Sequence, residues 1–280
     1  GMTRGAAGAV FISVLLLVPC LAAGVETARR IVSLSPHLTE LVFDAGAGDR
    51  LAGAVEYSDY PPEARNIPRV GDAFRIDREM LARVGPDLIL AWKGGTPPAT
   101  VEQLREDGYR VVVIETRNPE QVAAALETIA ELAGTQDAAA PRVRAFREEL
   151  SELRRRFADR PAIRVFVQIS PRPLYTVGEG QLTDSLLEIC GGRNVFGDID
   201  QLAPVVTDEA VIAADPQVII APRLEGEDVL EHWKRYPSID AVGDRRLHVI
   251  DGDLISRQSL RLLDGAREIC SLLEAARSGG

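Results

Sequence analysis

One short unit occurs twice in the 280-residue chain, about 130 residues apart. The first copy is DREMLARVGPDLILAW at residues 77–92, and the second is TDEAVIAADPQVIIAP at residues 207–222. In each copy a glutamate opens a short amphipathic helix, and a proline and a five-residue apolar strand follow. RIVSLSP at residues 30–36 is echoed in the same order by RVFVQISP at residues 164–171. The recurrence predicts two lobes of similar fold, although a chance repeat is the alternative because helix, proline and strand often succeed one another in α/β proteins.

Elsewhere the chain alternates short apolar strands with amphipathic helices, a pattern typical of α/β folds with parallel sheets. The alternation pauses at residues 135–161, where about six turns of charged helix carry a thin apolar stripe. We therefore predict an N-terminal lobe at residues 29–134, a connecting helix at residues 135–160 and a C-terminal lobe at residues 161–280. Strands are predicted at residues 30–34, 51–55, 87–91, 110–114, 163–169, 217–221 and 246–250.

The first 28 residues are interpreted as a secretory signal peptide, with Gly1 as an expression remnant. Arg4 is the only charge before Glu26, and VFISVLLLV is followed by PCLAAG, which has the small residues of a cleavage region. The apolar run is too short for a membrane span, which needs about 20 residues. A lipid on Cys20 is the second interpretation, since the proline directly before it is unusual there. We expect an exported, periplasmic protein.

Charge and cysteine content narrow the possible partners and the redox state. The formal charge is −10, and becomes −11 if a cut after Ala23 removes Arg4, which argues against nucleic acid or anionic lipid as a partner. Export would leave Cys190 and Cys270 in an oxidising compartment, so we predict a disulfide between them. Closing a loop of 80 residues could stabilise the fold by as much as about 4 kcal/mol. Two separate buried thiols are the alternative.

Ligands of parallel sheets bind in the loops that leave the carboxyl ends of the strands. Aromatic residues make up only 5% of the chain, yet four lie in or beside those loops: Tyr57, Tyr60, Trp92 and Tyr175. This concentration predicts a flat, largely apolar ligand held between aromatic faces. Tyr57, Tyr60 and Tyr175 could instead belong to the lobe cores.

Catalytic and metal-binding motifs are missing from the sequence. It contains no G-x-S-x-G, no G-x-x-x-x-G-K-[ST], no H-E-x-x-H and no C-x-x-C, and its three histidines are too scattered to predict a metal site. For an enzyme, the only nucleophile, base and orienting acid that we could nominate are Ser35, His37 and Asp59. These absences nominate no enzyme, no cofactor site and no resident metal, and an exported α/β enzyme stays open as the alternative.

Seven segments together resemble the periplasmic cobalamin-binding proteins of bacterial vitamin ABC importers. From about Arg30 to Leu273 they are, in order, SLSPHLTEL, YSDYPPEA, PDLILAWKGG, QISPRPLYTVG, LEICGGRNVF, TDEAVIAADPQVII and GDLISRQSLRLL. The resemblance implies two Rossmann-like lobes around a rigid connecting helix, with little hinge closure. It also implies a monomer that captures cobalamin or a related corrinoid and passes it to an ABC permease without catalysing a reaction.

The resemblance also implies roles for individual residues. Tyr57, Trp92 and Tyr175 match the contacts of the corrin ring, and Asp253 and Arg257 match a polar pair at the rim of the second lobe. The full set of candidate ligand-binding residues is Pro36, His37, Tyr57, Trp92, Gly94, Gly95, Tyr175, Asp253 and Arg257. Glu79 and Glu209 match two acids that dock onto arginines of the permease, and Cys190 and Cys270 match the family's disulfide.

Departures from the family pattern leave alternatives open. Ala73 and Ala203 stand where tryptophans are expected, and His37 stands where relatives carry a small or amide residue. A haem carrier would use His37 or Tyr57, and an anionic iron siderophore would use arginines such as Arg117, Arg172 and Arg223. Asp253 and Arg257 could form only a local ion pair, and Glu79 and Glu209 could be ordinary first-turn helix acids.

Overall fold

The computed structural model describes residues 26–72 and 74–279, which form two α/β lobes on either side of one long helix. The first lobe comprises β1 (Ile31–Ser33), α1 (Pro36–Asp44), β2 (Leu51–Ala54), α2 (Arg78–Val84), β3 (Leu88–Trp92), α3 (Pro98–Glu106), β4 (Val111–Ile114) and α4 (Pro119–Ala133). The long helix is α5 (Gln136–Phe157). The second lobe comprises β5 (Ile163–Pro171), β6 (Leu174–Thr176), α6 (Leu182–Ile189), β7 (Gly192–Asn194), α7 (Asp208–Ala214), β8 (Val218–Pro222), α8 (Asp240–Gly243), β9 (Leu247–Ile250), α9 (Gly252–Ser256) and α10 (Leu262–Ser278).

The two sheets share one strand order. In the first lobe the order is β2-β1-β3-β4, and all pairs are parallel. In the second lobe β7, β5, β8 and β9 pair in the corresponding order and are also parallel. The exception is β6, which pairs antiparallel with the carboxyl end of β5. The predicted fold of two parallel-sheet lobes is therefore confirmed.

The repeated sequence unit forms the same local structure in each lobe. Its helices, α2 and α7, each have seven residues, and the side chains of Asp77 and Thr207 cap them by accepting a backbone N–H three residues on. Both helices end in a left-handed residue, Gly85 in the first lobe and Asp215 in the second. The chain then enters the central strand, β3 or β8, so the two glutamates open equivalent helices.

A single apolar stripe on α5 links the lobes. The helix contacts α4 in the first lobe and α6 and α10 in the second. One continuous core cluster includes buried residues from both lobes and from α5, while the other face of each sheet has a cluster of its own. Because a packed interior resists deformation, this shared core opposes bending between the lobes. The stripe consists of Ala139, Val143, Phe146, Leu150, Leu153 and Phe157.

The predicted disulfide is confirmed. Cys190, at the end of α6, is bonded to Cys270 in α10, and the Cα atoms are 4.7 Å apart. Both residues are buried in the shared core. The bond therefore ties together two helices on one face of the second lobe.

Sequence patterns predicted the strands more completely in the first lobe than in the second. All seven predicted strands occur, with ends within two residues of their predicted positions. Strands β6 and β7 were not predicted, because each has only three residues and neither shows an apolar alternation.

Most of the predicted signal peptide lies outside the described residues, as does Ala73. The described chain opens at Glu26, and Ala28 already packs in the core, where its N–H donates to the Leu132 carbonyl at 2.7 Å. Within residues 26–72 and 74–279, no helix combines the length and apolar character needed to cross a membrane.

Candidate functional site

Exposed apolar side chains gather at the carboxyl ends of both sheets. Of the seven large hydrophobic residues that are exposed in the described chain, only Val113 lies elsewhere. Three of the other six are in the first lobe, where Tyr57 and Tyr60 follow β2 and Phe74 precedes α2. The second lobe contributes its three from equivalent or neighbouring loops: Leu202, Val205 and Leu224. Exposure of this kind marks a binding surface, because apolar groups gain free energy on leaving water.

The two sets of loops border one cleft, since the lobes touch at its base. Asp59 of the first lobe accepts a hydrogen bond from Arg257 of the second at 2.9 Å. The Arg261 guanidinium lies 4.0 Å from the centroid of the neighbouring Tyr60 ring. Both contacts join the loop after β2 to the segment after β9, which places the carboxyl ends of the two sheets opposite each other.

Tyr57 is the most available of the candidate aromatic contacts. Its side chain is 80% exposed, and its backbone has φ 65°, in the left-handed region that non-glycine residues rarely occupy. Because the Tyr57 ring is not buried, it contributes little packing energy to offset the cost of this backbone conformation. Strain of this kind is found at functional sites.

Trp92 is half-buried at the end of β3, and its ring lies against the glycine turn that follows. A Cβ atom at Gly94 would lie 2.7 Å from the indole ring, and one at Gly95 would lie 2.2 Å from it. Gly94 and Gly95, two of the candidate ligand-binding residues, therefore make room for the Trp92 ring. The indole Nε1 is buried and has no hydrogen-bond partner within the described part of the chain, so it is a donor that a ligand could satisfy after a ring movement.

His37 lies beneath Trp92, with the two rings edge to face at a centroid distance of 4.9 Å. The side chain is buried; Nδ1 is 2.6 Å from the Ser35 hydroxyl and Nε2 is 3.3 Å from the Thr116 hydroxyl. Burial, assisted by the Arg257 guanidinium, lowers the pKa of His37 from 6.5 to about 3. The ring is therefore neutral at physiological pH and supports Trp92 from below. Its predicted contact with a ligand would require it to leave these partners.

The low pKa of His37 predicts a pH-dependent stability. Between pH 6.5 and about 3 the unfolded chain binds a proton at His37 that the folded chain does not bind. The free energy of unfolding should therefore fall as the pH drops through that range, by at most about 1.4 kcal/mol per pH unit from this group. In His37→Gln protein the fall between pH 6 and pH 4 should be shallower, as measured by urea unfolding. Parallel curves for the two proteins would contradict the assignment.

The remaining ligand candidates lie on both sides of the cleft base. Pro36 begins α1 and is half-buried. Tyr175 is half-buried in β6, where it pairs with Ser170 of β5 and forms a bridge to Val205. Tyr175 therefore stands beside one of the exposed apolar residues of the second lobe.

Asp253 and Arg257 form an ion pair at 3.0 Å. A local pair of this kind was the alternative to a direct role in ligand binding. Arg257 also contacts Asp59 at 2.9 Å and Glu40 at 3.1 Å, so its largely buried guanidinium is shared by three carboxylates. Although it is paired with Arg257, the Asp253 side chain keeps almost half of its surface exposed to solvent.

Several residues of the cleft base were not singled out by the sequence patterns. Glu40 is the most informative, because a carboxylate in a helix that is otherwise buried needs a cationic partner. That rule was the available signal, but the local pattern does not say which arginine supplies the charge. The other residues missed are Thr116, Gln258, Ser259 and Arg261.

The residues nominated for an enzyme do not form a catalytic arrangement. The Ser35 hydroxyl contacts His37, but both residues are buried. Asp59 binds Arg257 across the cleft base and not the imidazole. A nucleophile needs access to substrate, and the buried Ser35 hydroxyl does not have it.

The two glutamates of the repeated unit are exposed. Glu79 is the second residue of α2 and pairs with Arg83 at 3.0 Å on the helix surface. Glu209 is the second residue of α7 and makes no ion pair with any described residue. The two helices are equivalent elements of the two lobes, so each lobe presents one exposed glutamate at the same position of its fold.

A cavity of about 790 Å³ lies in the second lobe, at the carboxyl ends of β5 and β8. Arg172 of the β5–β6 connection and Leu174, the first residue of β6, line it together with Leu224. Asp208 and the acids of the segment 227–231 complete the lining. This polar and charged lining differs from the apolar contact surface that the aromatic loops predicted, so the cavity is not the site expected for a flat ligand.

Comparisons with known proteins agree with the two-lobed architecture. Residues 31–254 match the family described as periplasmic binding protein. The vitamin B12-binding protein of Vibrio cholerae is 32% identical over 267 residues, which cover 94% of this chain and 95% of that protein. The vitamin B12-binding protein of Yersinia pseudotuberculosis is 31% identical over 260 residues, covering 92% of this chain and 91% of that protein.

Solved structures show the same relationship. The crystal structure of the periplasmic vitamin B12 binding protein BtuF of Vibrio cholerae has a TM-score of 0.82 and 32% identity, covering 89% of this chain and 98% of that one. The periplasmic heme-binding protein BhuT in complex with two hemes has a TM-score of 0.80 and 24% identity, covering 90% and 99%. At that lower identity the likeness concerns the fold.

Proposed function

The chain belongs to the periplasmic binding protein family, and from that premise we propose that it captures cobalamin or a related corrinoid between its lobes and delivers it to an ABC importer. The vitamin B12-binding relatives, which align over almost the whole chain, support this choice of ligand. Its task is binding and transfer, without chemical change of the ligand.

The observation that carries the proposal is the ring of exposed apolar side chains around the cleft. Tyr57 and Phe74 face solvent on one side, and Leu202 and Val205 face it on the other. A corrin ring is broad and flat, so its faces can cover both sets at once. Burial of apolar area contributes about 25 cal/mol per Å², less the entropy lost on association.

Larger apolar residues lie beside the two positions, Ala73 and Ala203, at which the chain departs from the family pattern. Ala203 is exposed where the family pattern has a tryptophan, and it is flanked by Leu202 and followed closely by Val205. Phe74 directly follows Ala73 in the first lobe and is 87% exposed. We propose that these three larger residues supply the contact area that the two missing tryptophans would provide.

Delivery requires a second surface. We propose that Glu79 and Glu209 dock onto basic residues of the permease, one from each lobe. Their equivalent positions on α2 and α7 support the proposal, since a transporter with two-fold symmetry would present the same partner to each lobe. Such exposed charges are screened, so docking should weaken as salt increases.

An export route completes the proposed function. The apolar segment at residues 10–18 is proposed to direct secretion, and the Cys190–Cys270 disulfide is consistent with an oxidising compartment. We therefore propose a periplasmic location.

Absorption spectra test the ligand. The protein is incubated separately with cyanocobalamin, cobinamide, haem and a ferric siderophore, passed through a desalting column, and examined for retained chromophore. We expect cyanocobalamin or cobinamide to be retained, with titration calorimetry giving the affinity. Retention of haem or siderophore alone would contradict the proposal and favour the alternative cargo.

The same spectra test His37. Coordination to cobalt or to haem iron by a neutral imidazole would change the visible bands of the bound ligand. Because His37 is buried beneath Trp92, we expect His37→Ala protein to give the wild-type ligand spectrum. A shifted spectrum in the variant would instead support direct coordination.

A further inference from the structure

A buried carboxylate of the first lobe lies at the base of the cleft. Glu40 lies in the middle of α1 and is only 2% exposed. Most of its neighbours on the helix are apolar. Burying a carboxylate is strongly unfavourable unless cations and hydrogen-bond donors surround it. The identity of those partners therefore shows what the residue holds in place.

Within residues 26–72 and 74–279, every hydrogen-bond partner of the Glu40 carboxylate comes from the second lobe. The Arg257 Nη1 and Arg261 Nη1 atoms approach Oε1 at 3.1 and 3.4 Å, and the Ser259 hydroxyl donates to Oε2 at 2.6 Å. Ser259 is fully buried, and both guanidinium groups are mostly buried. All three lie in the short segment between α9 and α10, about 220 residues further along the chain.

A neighbouring contact joins the same second-lobe segment to another part of the first lobe. The Thr116 hydroxyl donates to the Gln258 side-chain carbonyl, which links the loop after β4 to the segment after α9. Thr116 also contacts His37, the residue beneath Trp92. The Glu40 carboxylate therefore belongs to a group of polar contacts that extends from the lobe interface to His37, beneath Trp92.

We propose that Glu40 is a positioning residue that fixes the separation of the two lobes and the orientation of Arg257, so that the cleft is preformed before ligand arrives. The shared core along α5 holds the lobes from behind, and Glu40 holds them at the cleft base. Its effect on ligand affinity rests on the proposed function, whereas its effect on lobe separation does not.

The expected consequence of removing the charge follows from the burial. In Glu40→Gln protein the two arginines would face an amide, and the interface would keep two cations without their central anion. Lobe arrangements that admit water to the arginines would then gain population. If only about a tenth of the molecules keep the binding-competent cleft, the apparent affinity falls about tenfold.

Interlobe distances give a readout that does not depend on any ligand. Spin labels at Ala99→Cys in α3 and Ser238→Cys before α8, both exposed, report the distance by double electron–electron resonance with the native disulfide intact. We expect Glu40→Gln to broaden this distribution toward longer distances and to lower cyanocobalamin affinity about tenfold. The matched control is Glu127→Gln, which breaks an exposed ion pair with Arg147 and should change neither quantity.

Each outcome decides a part of the proposal. An unchanged distribution in a folded Glu40→Gln protein would overturn it, and a broadened distribution with unchanged affinity would overturn the link to binding. Wild-type protein that retains no cyanocobalamin would contradict the proposed function, while the distances would still decide the role of Glu40. If Glu40→Gln does not fold, Ser259→Ala removes one hydrogen bond and should give a smaller broadening; the wild-type distribution in that variant would also overturn the proposal.

Discussion

Glu79→Ala combined with Glu209→Ala is expected to bind cyanocobalamin within about twofold of the wild-type affinity and to support almost no uptake. The two carboxylates are exposed on equivalent helices, and neither lies among the residues that meet at the cleft base. The pair of Glu79 with Arg83 is exposed on both sides, so it stabilises the helix only slightly and leaves the carboxylate available. Removal of both charges should abolish pairing with the permease on both lobes at once.

Two measurements separate delivery from capture. Titration calorimetry gives ligand affinity, and uptake of labelled cobalamin into proteoliposomes containing the importer gives delivery. The matched control replaces two other exposed glutamates, one in each lobe, by Glu102→Ala with Glu188→Ala, and should leave uptake unchanged. A large loss of affinity in the Glu79 and Glu209 double variant, or normal uptake by it, would contradict the docking assignment. Increasing salt should reduce docking by the wild-type protein and have little further effect on the double variant.

Tyr57→Gly is expected to weaken cobalamin binding by about 100-fold while leaving the fold as stable as before or slightly more stable. An aromatic anchor at the centre of an interface contributes about 3 kcal/mol, which corresponds to that loss of affinity. The unliganded protein loses little, because the ring is 80% exposed. Glycine also relieves the left-handed backbone, and this gain of about 1–2 kcal/mol is offset by its greater freedom in the unfolded chain.

Tyr57→Phe is the matched control for this substitution. It keeps the ring and the backbone conformation, so both affinity and stability should stay close to wild type. Urea unfolding and titration calorimetry on the two variants give the four values needed. A Tyr57→Gly protein that binds normally would exclude Tyr57 from the ligand contact, and one that is strongly destabilised would contradict the interpretation of its exposed ring.

The surroundings of the Trp92 ring could not be predicted from the sequence. The resemblance to the cobalamin-binding proteins implies that Trp92, Gly94 and Gly95 all contact the ligand. In the structure the glycines accommodate the indole ring, and His37 supports it from below. The same sequence is compatible with both arrangements, because absence of a Cβ permits close approach by any group, whether it belongs to the ligand or to the chain itself.

Arg257 and Glu40 show a second limit. The four-residue spacing from Asp253 indicated a local ion pair, and that pair is present. The spacing carried no information about Glu40 or Asp59, which lie about 200 residues away in the chain. Contacts between distant segments depend on how the two sheets face each other, and helix or strand periodicity does not encode that.

The amino-acid sequence by itself determined the two-lobed α/β architecture, the long connecting helix and the equivalent positions of Glu79 and Glu209. These features arise from apolar periodicity, caps and strand length, all of which act over a few residues. Only the tertiary structure decided which side chains share the cleft base and which remain exposed around it. The burial of Glu40 against the second lobe and the exposure of Tyr57 both depend on the packing of segments that are far apart in the chain.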